Sequence, residues 1–200
     1  GANTTASALW RLKYTGEYTQ EQFEKAVSKI RIYCIWYQDG GGQWIEDNVK
    51  EVFIFEAYQW EMIWDYQSCD GCFKGRDSAN PEDVQEYMRH EWLAANVRGN
   101  HGALGTLNPQ DWVSEGDTPS WLNLVNNGLE AHVDYTLGGW GGRGEYDDIG
   151  EKPNHITDKN IEEDGDEHKH YWRWVIAAQN DYAARADWCV NDYDGANHAP

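Results

Sequence analysis

Polar and aromatic side chains follow two short apolar runs of the sequence. The run RIYCIWY at 31–37 is followed by Gln38 and Asp39, and the run VFIFE at 52–56 precedes a loop that contains Trp60. Amide and carboxylate groups bond to hydroxyl groups, and the face of an indole ring packs on the C–H groups of a sugar. These residue types favour carbohydrate recognition, with a solvated turn as the alternative for Gln38 and Asp39.

Another candidate binding site lies in the glycine-rich segment LGGWGGRGEY at 137–146. Glycine allows the backbone to turn sharply or to approach a ligand closely, and either use would display Trp140 and Arg143. We therefore predict that both side chains contact the substrate. The alternative for Arg143 is an ordinary surface pair with Glu145.

The aromatic composition favours the same kind of partner. The chain holds 12 Trp and 12 Tyr against 4 Phe, so most of its rings carry a polar group. Such rings suit half-hydrated positions, where they cap a core or form platforms for sugar rings. Trp44, Trp60 and Trp140 are the candidate platforms, and packing in or over the core is the alternative for each.

The charge balance excludes two classes of partner. The 16 Lys and Arg residues against 35 Asp and Glu residues give a formal net charge of −19, which repels nucleic-acid phosphates and anionic membrane surfaces. No apolar run approaches the roughly 18 residues that cross a membrane. The carboxylates suit a secreted protein and a hard cation such as Ca²⁺, and a solvated acidic surface is the alternative.

The cysteines favour an oxidising compartment. Cys69 and Cys72 form a C-x-x-C pair without a second metal-binding pair or a thioredoxin-like context, so a structural disulfide is the leading interpretation. With Cys34 and Cys189 included, three pairings remain open. We expect a secreted or extracytoplasmic protein.

Three common catalytic motifs are absent from the sequence. It contains no G-x-S-x-G, no P-loop and no G-x-G-x-x-G between a strand and a helix, which argues against serine hydrolases, kinases and dinucleotide enzymes. The histidines are scattered and predict no zinc site.

The elements that must position these residues alternate between helix and strand. Thr19 and Gln22 form a capping box, which marks a helix start. The apolar face of that helix is predicted to consist of Phe23, Ala26, Val27 and Ile30, which follow at helical spacing. Helix, strand, helix and strand in succession predict an α/β fold with a parallel sheet, in which ligands gather beyond the carboxyl ends of the strands. The predicted helices are 5–14, 20–30 and 44–49, and the predicted strands are 31–37 and 52–56.

Helices dominate the rest of the chain. We predict one helix over 81–98, a short one over 119–125 and a long amphipathic one over 167–190. The side of the last helix that is predicted to pack on the sheet carries Tyr171, Trp174, Val175, Ala178, Tyr182 and Cys189. The charged stretch before the last helix is predicted to be a mobile loop.

Six segments, in this order, together resemble the nucleoside-hydrolase-like domain of secreted cellulose-binding proteins, which are distant relatives of nucleoside N-ribohydrolases. They are GANTTASAL at 1–9, EKAVSKIRIYCIWYQDGGGQWIEDN at 24–48, NHGALGTL at 100–107, EGDTPSWL at 115–122, GGWGGRGE at 138–145, and AAQNDYAARADWCV with ANHAP within 177–200.

The resemblance implies a nucleoside-hydrolase-like layered fold, with residues 1–200 as the C-terminal portion of one domain whose first strands and aspartate cluster would precede Gly1. It also implies a Ca²⁺ site, to which the turn at Asn3 would give a carbonyl and Asp117 a carboxylate. Because Ca²⁺ takes six to eight oxygen ligands, we expect this chain alone to bind it weakly or not at all. Asp117 has a helix N-cap as its alternative role, and Asn3 begins a glycosylation sequon.

The implied partners are a plant polysaccharide or glycoside and the missing N-terminal part of the domain. The function implied is binding of the carbohydrate or hydrolysis of its glycosidic bond on a calcium-dependent scaffold. Two alternatives remain: a non-catalytic cellulose-binding module and a fragment of a structural or assembly protein.

Overall fold

The first half of the described chain alternates helices with two parallel strands. The computed structural model describes residues 2–35, 40–59, 61–64, 80–99, 101–108, 113, 118–147 and 154–191. The first elements are helix α1 (Ala2–Tyr14), helix α2 (Gln20–Val27), strand β1 (Arg31–Ile35), helix α3 (Gly40–Asn48), strand β2 (Phe53–Ala57) and helix α4 (Glu61–Trp64).

The second half is mostly helical and adds two short strands. It comprises α5 (Glu82–Gln85), a 3₁₀ turn (Glu86–Met88), α6 (His90–Leu93), a π-helical turn (Ala94–Arg98), α7 (Gly102–Leu107), α8 (Thr118–Leu122), β3 (Glu145–Tyr146), β4 (His155–Thr157), α9 (Lys169–Trp172) and α10 (Val175–Trp188).

The four strands form one sheet in the order β1-β2-β4-β3. β1 and β4 both run parallel to β2, and β3 pairs antiparallel with β4. The predicted α/β class and parallel sheet are confirmed. The prediction of a mobile charged loop was wrong, because β4 lies between two other strands and its three residues are buried. A strand of three residues is too short to show the period-two pattern on which strand prediction depends.

Helix α2 begins where the sequence predicts. The Thr19 hydroxyl accepts from the backbone N–H of Gln22 at 3.2 Å, and the Gln22 side chain accepts from the N–H of Thr19 at 2.9 Å. This capping box satisfies N–H groups that the first turn leaves without a helical partner. The helix then buries Phe23 and Val27 at helical spacing against the sheet-side core.

Helices α1 and α3 pack against each other on one face of the sheet. Side chains alternate along β2, so Ile54 packs with the helices and Phe55 packs on the opposite face with Tyr135 and Ile156. The apolar cluster on the α1–α3 face comprises Ala6, Leu9, Phe23, Val27, Ile45, Val49, Val52 and Ile54.

Helix α3 begins before the predicted helix 44–49 and includes three glycines. It begins at Gly40, and Gly41 and Gly42 are buried in its first turn.

The predicted helix over 81–98 is broken into short segments at Arg89, whose backbone is extended. Met88 and Leu93 flank the break and are both buried. In a continuous helix, residues five apart point about 140° away from each other. The break therefore lets the residues before and after Arg89 face the same core, which residue periodicity alone could not reveal.

The predicted C-terminal helix is also divided. Arg173 and Trp174 separate α9 from α10, and Tyr171 and Val175 on either side of the break are buried as predicted. They belong to an inter-helical core with Ile63, Trp64, Val84, Met88, Leu93, Val97, Val113, Leu122, Trp140 and Ala178.

The glycine-rich segment turns tightly and packs on the sheet. Gly139 and Gly142 exchange backbone hydrogen bonds of 3.2 and 3.0 Å, and Gly142 has a φ of 88°. A Cβ on Gly144 would lie 2.1 Å from Ile156 Cγ2 and 2.9 Å from the Phe55 ring. These glycines therefore serve close packing within the protein.

We expect Gly144→Ala to lower the free energy of unfolding by about 1–3 kcal/mol, because the added methyl group overpacks the contact with Ile156. Urea denaturation would measure the change. Gly40→Ala is the matched control, since nothing lies within 4 Å of a Cβ built there. Equal stability of the two variants would contradict the packing role.

Candidate functional site

The carboxyl edge of the sheet holds a buried aspartate. Asp158 follows β4 directly and is 0% exposed. Its Oδ1 accepts from the backbone N–H of Tyr58 at 2.7 Å and its Oδ2 from that of Gln59 at 3.2 Å. Because Tyr58 and Gln59 follow β2, this one carboxyl group joins the ends of two parallel strands.

Two tyrosines extend this network towards the glycine-rich turn. The Tyr171 hydroxyl donates to Asp158 Oδ2 at 2.8 Å and lies 3.4 Å from the Tyr33 hydroxyl. Tyr33 donates to the carbonyl of Gly141 at 3.2 Å. The network thus connects β1, β4, α9 and the glycine-rich turn.

His170 forms the other branch of the network. Its Nδ1 accepts from the backbone N–H of Arg143 at 3.0 Å, so the neutral ring carries its proton on Nε2, which donates to Gln59 Oε1 at 2.8 Å. Burial, with a smaller contribution from the positive charge of Arg143, lowers the pKa of His170 to about 3. The imidazole is therefore neutral at physiological pH.

Burial also controls the charge of Asp158. It raises the pKa of this carboxyl group from 3.8 to about 6, although the N–H groups of Tyr58 and Gln59 and the hydroxyl of Tyr171 oppose the shift. The pKa of Tyr171 is raised well above 10 by its own burial and then by the negative charge of Asp158. A group with a pKa near neutrality suits acid–base chemistry, but Asp158 is enclosed by protein, which favours a structural role.

A cavity of about 420 Å³ lies among the helices. Helix α10 supplies much of its wall, and the rest comes from α4, α7, α8 and the π-helical turn. The described residues lining it are Trp64, Val97, His101, Leu104, Gly105, Trp121, Leu122, Ala178, Gln179, Asp181, Tyr182, Arg185, Ala186 and Cys189. This volume falls within the range of small-molecule sites, about 300–1,000 Å³.

Aromatic rings and a paired arginine line the cavity on its exposed side. Trp121 is 51% exposed, and the Arg185 guanidinium lies 5.8 Å from its ring centre and 5.5 Å from that of Trp188. Arg185 Nε donates to Asp181 Oδ2 at 2.6 Å. Cation–π contacts and this ion pair orient the arginine beside Trp121, which lines the cavity.

The interior of the cavity contains two buried side chains with unsatisfied polar atoms. His101 Nε2 bonds to Asp187 Oδ1 at 2.9 Å, while its Nδ1 has no hydrogen-bond partner among the described residues. The indole N–H of Trp64 also has none. Both residues line the cavity, but these two atoms are themselves fully buried, and burial without a partner is costly.

Among the predicted substrate-binding residues that the structure describes, Trp44 and Trp140 lie in different clusters of the core. Trp140 is 6% exposed in the inter-helical core, which corrects the prediction that the glycine-rich segment displays it. Arg143 is paired with Glu163, at 3.3 Å, in place of the suggested Glu145. Trp44 packs on the α1–α3 core and lies edge-on to Tyr14 at 6.3 Å between ring centres.

The remaining predicted residues fall mostly outside the described part of the chain. This applies to Gln38, Asp39, Trp60 and Asp117, and to Cys69 and Cys72. Cys189 is a free, exposed thiol.

The predicted metal-binding turn at Asn3 is part of a helix. Ala2 to Thr4 form the first turn of α1, and the Asn3 carbonyl accepts from the Ser7 hydroxyl at 2.9 Å. Within the described ranges no group of three or more His, Cys, Asp and Glu residues could hold a metal ion.

Sequence reasoning missed the residues that the structure brings together. Asp158 follows a strand too short to predict, and His101 and Asp187 are 86 positions apart. Trp121 is one of many tryptophans in the sequence, and only its exposure and its contact with Arg185 in the structure distinguish it from the others. The amphipathic pattern of the last helix did indicate Tyr182 and Cys189, although it assigned them to the buried face.

Among the described residues, no helix is long and apolar enough to span a membrane.

The mostly parallel sheet, its covering helices and the polar network at its carboxyl edge define an α/β domain of the nucleoside-hydrolase-like class. A family model described as the cellulose-binding Sde182, nucleoside hydrolase-like domain matches residues 1–144. The chain belongs to this family, which confirms the resemblance found in the sequence. No curated protein and no solved structure matches it.

The two titrating groups of the network are expected to shift stability with pH in opposite directions. Between pH about 4 and 6, native Asp158 keeps a proton that the unfolded chain has lost, so stability falls as pH rises. Native His170 lacks a proton that the unfolded chain carries from about pH 3 to 6.5, so stability rises with pH.

The Asp158→Asn variant should show only the pH dependence of stability that His170 causes, because asparagine has the same shape as aspartate but does not titrate. Relative to the unmodified chain, we expect the variant to gain about 3 kcal/mol of unfolding free energy between pH 4 and 7. Urea denaturation at intervals of one pH unit would measure it, with the exposed Asp47→Asn as control. Parallel pH profiles for the variant and the unmodified chain would refute the assignment.

Proposed function

We propose that this chain is a carbohydrate-directed domain that binds a neutral plant-type polysaccharide, with cellulose as the first candidate. Its family is described as cellulose-binding, which supports the proposal. The structural observation that carries it is the cavity bordered by Trp121 and Tyr182, where aromatic rings and hydrogen-bonding groups occur side by side. We further propose that the protein is secreted, because its polymeric ligand lies outside cells.

The chemistry of the cavity suits a sugar. Pyranose rings have apolar C–H faces and polar hydroxyl edges, which match indole faces and polar side chains respectively. The formal charge of −19 favours a neutral polymer over an acidic one, since like charges repel.

Binding is favoured over hydrolysis by the position of Asp158. Most glycoside hydrolases use two carboxyl groups on either side of the scissile bond. Asp158 is the described carboxyl group with a pKa near 6, and its oxygens are occupied by Tyr58, Gln59 and Tyr171 within the protein. We therefore assign no catalytic residue among the described ones.

Trp121→Ala should reduce adsorption to insoluble cellulose at least fivefold, because it removes a half-exposed ring beside the cavity. Depletion of protein from solution over microcrystalline cellulose would measure it. Trp10→Ala is the matched control, since Trp10 is equally exposed, at 51%, and lies on α1. The same samples should be assayed for released reducing sugar.

Three results would overturn parts of this proposal. No adsorption of the unmodified chain would refute cellulose as the ligand. Equal losses in the Trp121 and Trp10 variants would refute the cavity as the contact. Sustained release of reducing sugar would favour a hydrolase.

We propose that any calcium dependence of the family fold requires carboxylates beyond those described here, with Asp117 as this chain's contribution. Addition of 1 mM Ca²⁺ in place of a chelator should therefore raise the melting temperature of this chain by less than about 1 °C, because too few oxygen ligands are present. Differential scanning calorimetry would measure the shift. A rise of several degrees that Asp117→Asn abolishes would show a complete site.

A further inference from the structure

Two opposite charges line the cavity from helix α10. Asp181 and Arg185 are four positions apart on this helix, and Arg185 Nε donates to Asp181 Oδ2 at 2.6 Å. Among the described residues that line the cavity, Arg185 is the only lysine or arginine and Asp181 the only acidic residue. The two charges therefore neutralise each other at the wall of the cavity.

The two members of this pair differ in how far a ligand can reach them. The Arg185 side chain is 43% exposed, whereas that of Asp181 is 14% exposed. A guanidinium group has five N–H donors, and the bond to Asp181 uses the one on Nε. A ligand can therefore contact the half-exposed Arg185 side chain while the ion pair stays intact.

Arg185 also lies beside two aromatic rings that suit a sugar. Its guanidinium carbon is 5.8 Å from the ring centre of Trp121 and 5.5 Å from that of Trp188, and both residues are about half exposed. Without Asp181, the positive charge of Arg185 would favour an acidic sugar, because a guanidinium group binds a carboxylate through two parallel hydrogen bonds. With Asp181 bonded to Arg185, a second carboxylate would be repelled at close range.

We propose that Asp181 is a specificity-determining residue, which neutralises Arg185 so that the site accepts neutral glucans and rejects sugars that carry a carboxylate. This inference rests on the proposed polysaccharide-binding function and adds the residue that selects the polymer. Arg185 then donates hydrogen bonds to sugar hydroxyls without attracting an acidic ligand. Specificity is a difference between two affinities, and Asp181 increases that difference by repelling the wrong ligand.

Two soluble polymers with the same glucan backbone test this assignment. Hydroxyethyl cellulose is neutral and carboxymethyl cellulose carries carboxylates, and affinity electrophoresis in native gels measures the dissociation constant for each. Asp181→Asn keeps the shape of the side chain but removes its charge. We expect this variant to raise the affinity for carboxymethyl cellulose, relative to that for hydroxyethyl cellulose, about fivefold or more. The gain should disappear in about 0.5 M NaCl, because salt screens exposed charges.

Further variants separate this local effect from the overall charge of −19. Glu17→Gln removes the carboxylate from the exposed Arg11–Glu17 pair, whose bond is also 2.6 Å long, and it changes the net charge by the same amount as Asp181→Asn. It should leave the ratio of the two affinities unchanged within about twofold. Asp181→Asn combined with Arg185→Gln should cancel the gain. Arg185→Gln alone should shift the ratio in the opposite direction, because the Asp181 carboxylate then loses its counter-charge.

The outcomes separate this inference from the function on which it rests. Adsorption to cellulose with the same affinity ratio in the unmodified chain and in every variant refutes the role of Asp181 and leaves polysaccharide binding intact. An equal gain in Asp181→Asn and Glu17→Gln also refutes it, since net charge alone would then explain the gain. Absence of adsorption and of binding to either soluble polymer refutes both proposals. If Asp181→Asn does not fold, the opposite shift of the ratio in Arg185→Gln still decides the question.

Discussion

The carboxyl group of Asp158 is the constraint on which the arrangement of the described elements depends. It accepts hydrogen bonds from two backbone N–H groups after β2 and from the Tyr171 hydroxyl, and it is fully buried. Removing water from a carboxyl group is costly, so all three donors are needed to offset the cost. The loop after β2, the end of β4 and helix α9 are consequently fixed relative to one another.

This network also affects where a ligand can bind. Parallel sheets commonly bind ligands beyond the carboxyl ends of their strands. Here the described part of that edge is filled by Asp158, Gln59, Tyr171 and His170, which bond mainly to each other and to the backbone. The open space lies instead among the helices, where α10 contributes both aromatic and charged side chains.

The sequence predicted local features better than long-range ones. The capping box at Thr19 and the apolar faces of Phe23 and Tyr171 depend on neighbours within a few residues, and the structure confirms them. The break at Arg89 and the pairing of His101 with Asp187 depend on tertiary packing that residue spacing does not encode. The glycine-rich segment was predicted either to turn sharply or to approach a ligand closely, and the structure shows that Gly144 and Gly142 make room for Ile156 and Tyr171.

The last two helices connect the two regions. Tyr171 in α9 is bonded to Asp158, and Val175 at the start of α10 is packed in the same core, so the beginning of α10 is anchored to the sheet. Asp181 and Arg185 lie two and three turns further along α10, where they line the cavity. A helix that is held at one end by a buried polar network also keeps the side chains at its other end in fixed positions. Loss of the Asp158 contact would therefore displace the side chains that line the cavity and would also lower the free energy of unfolding.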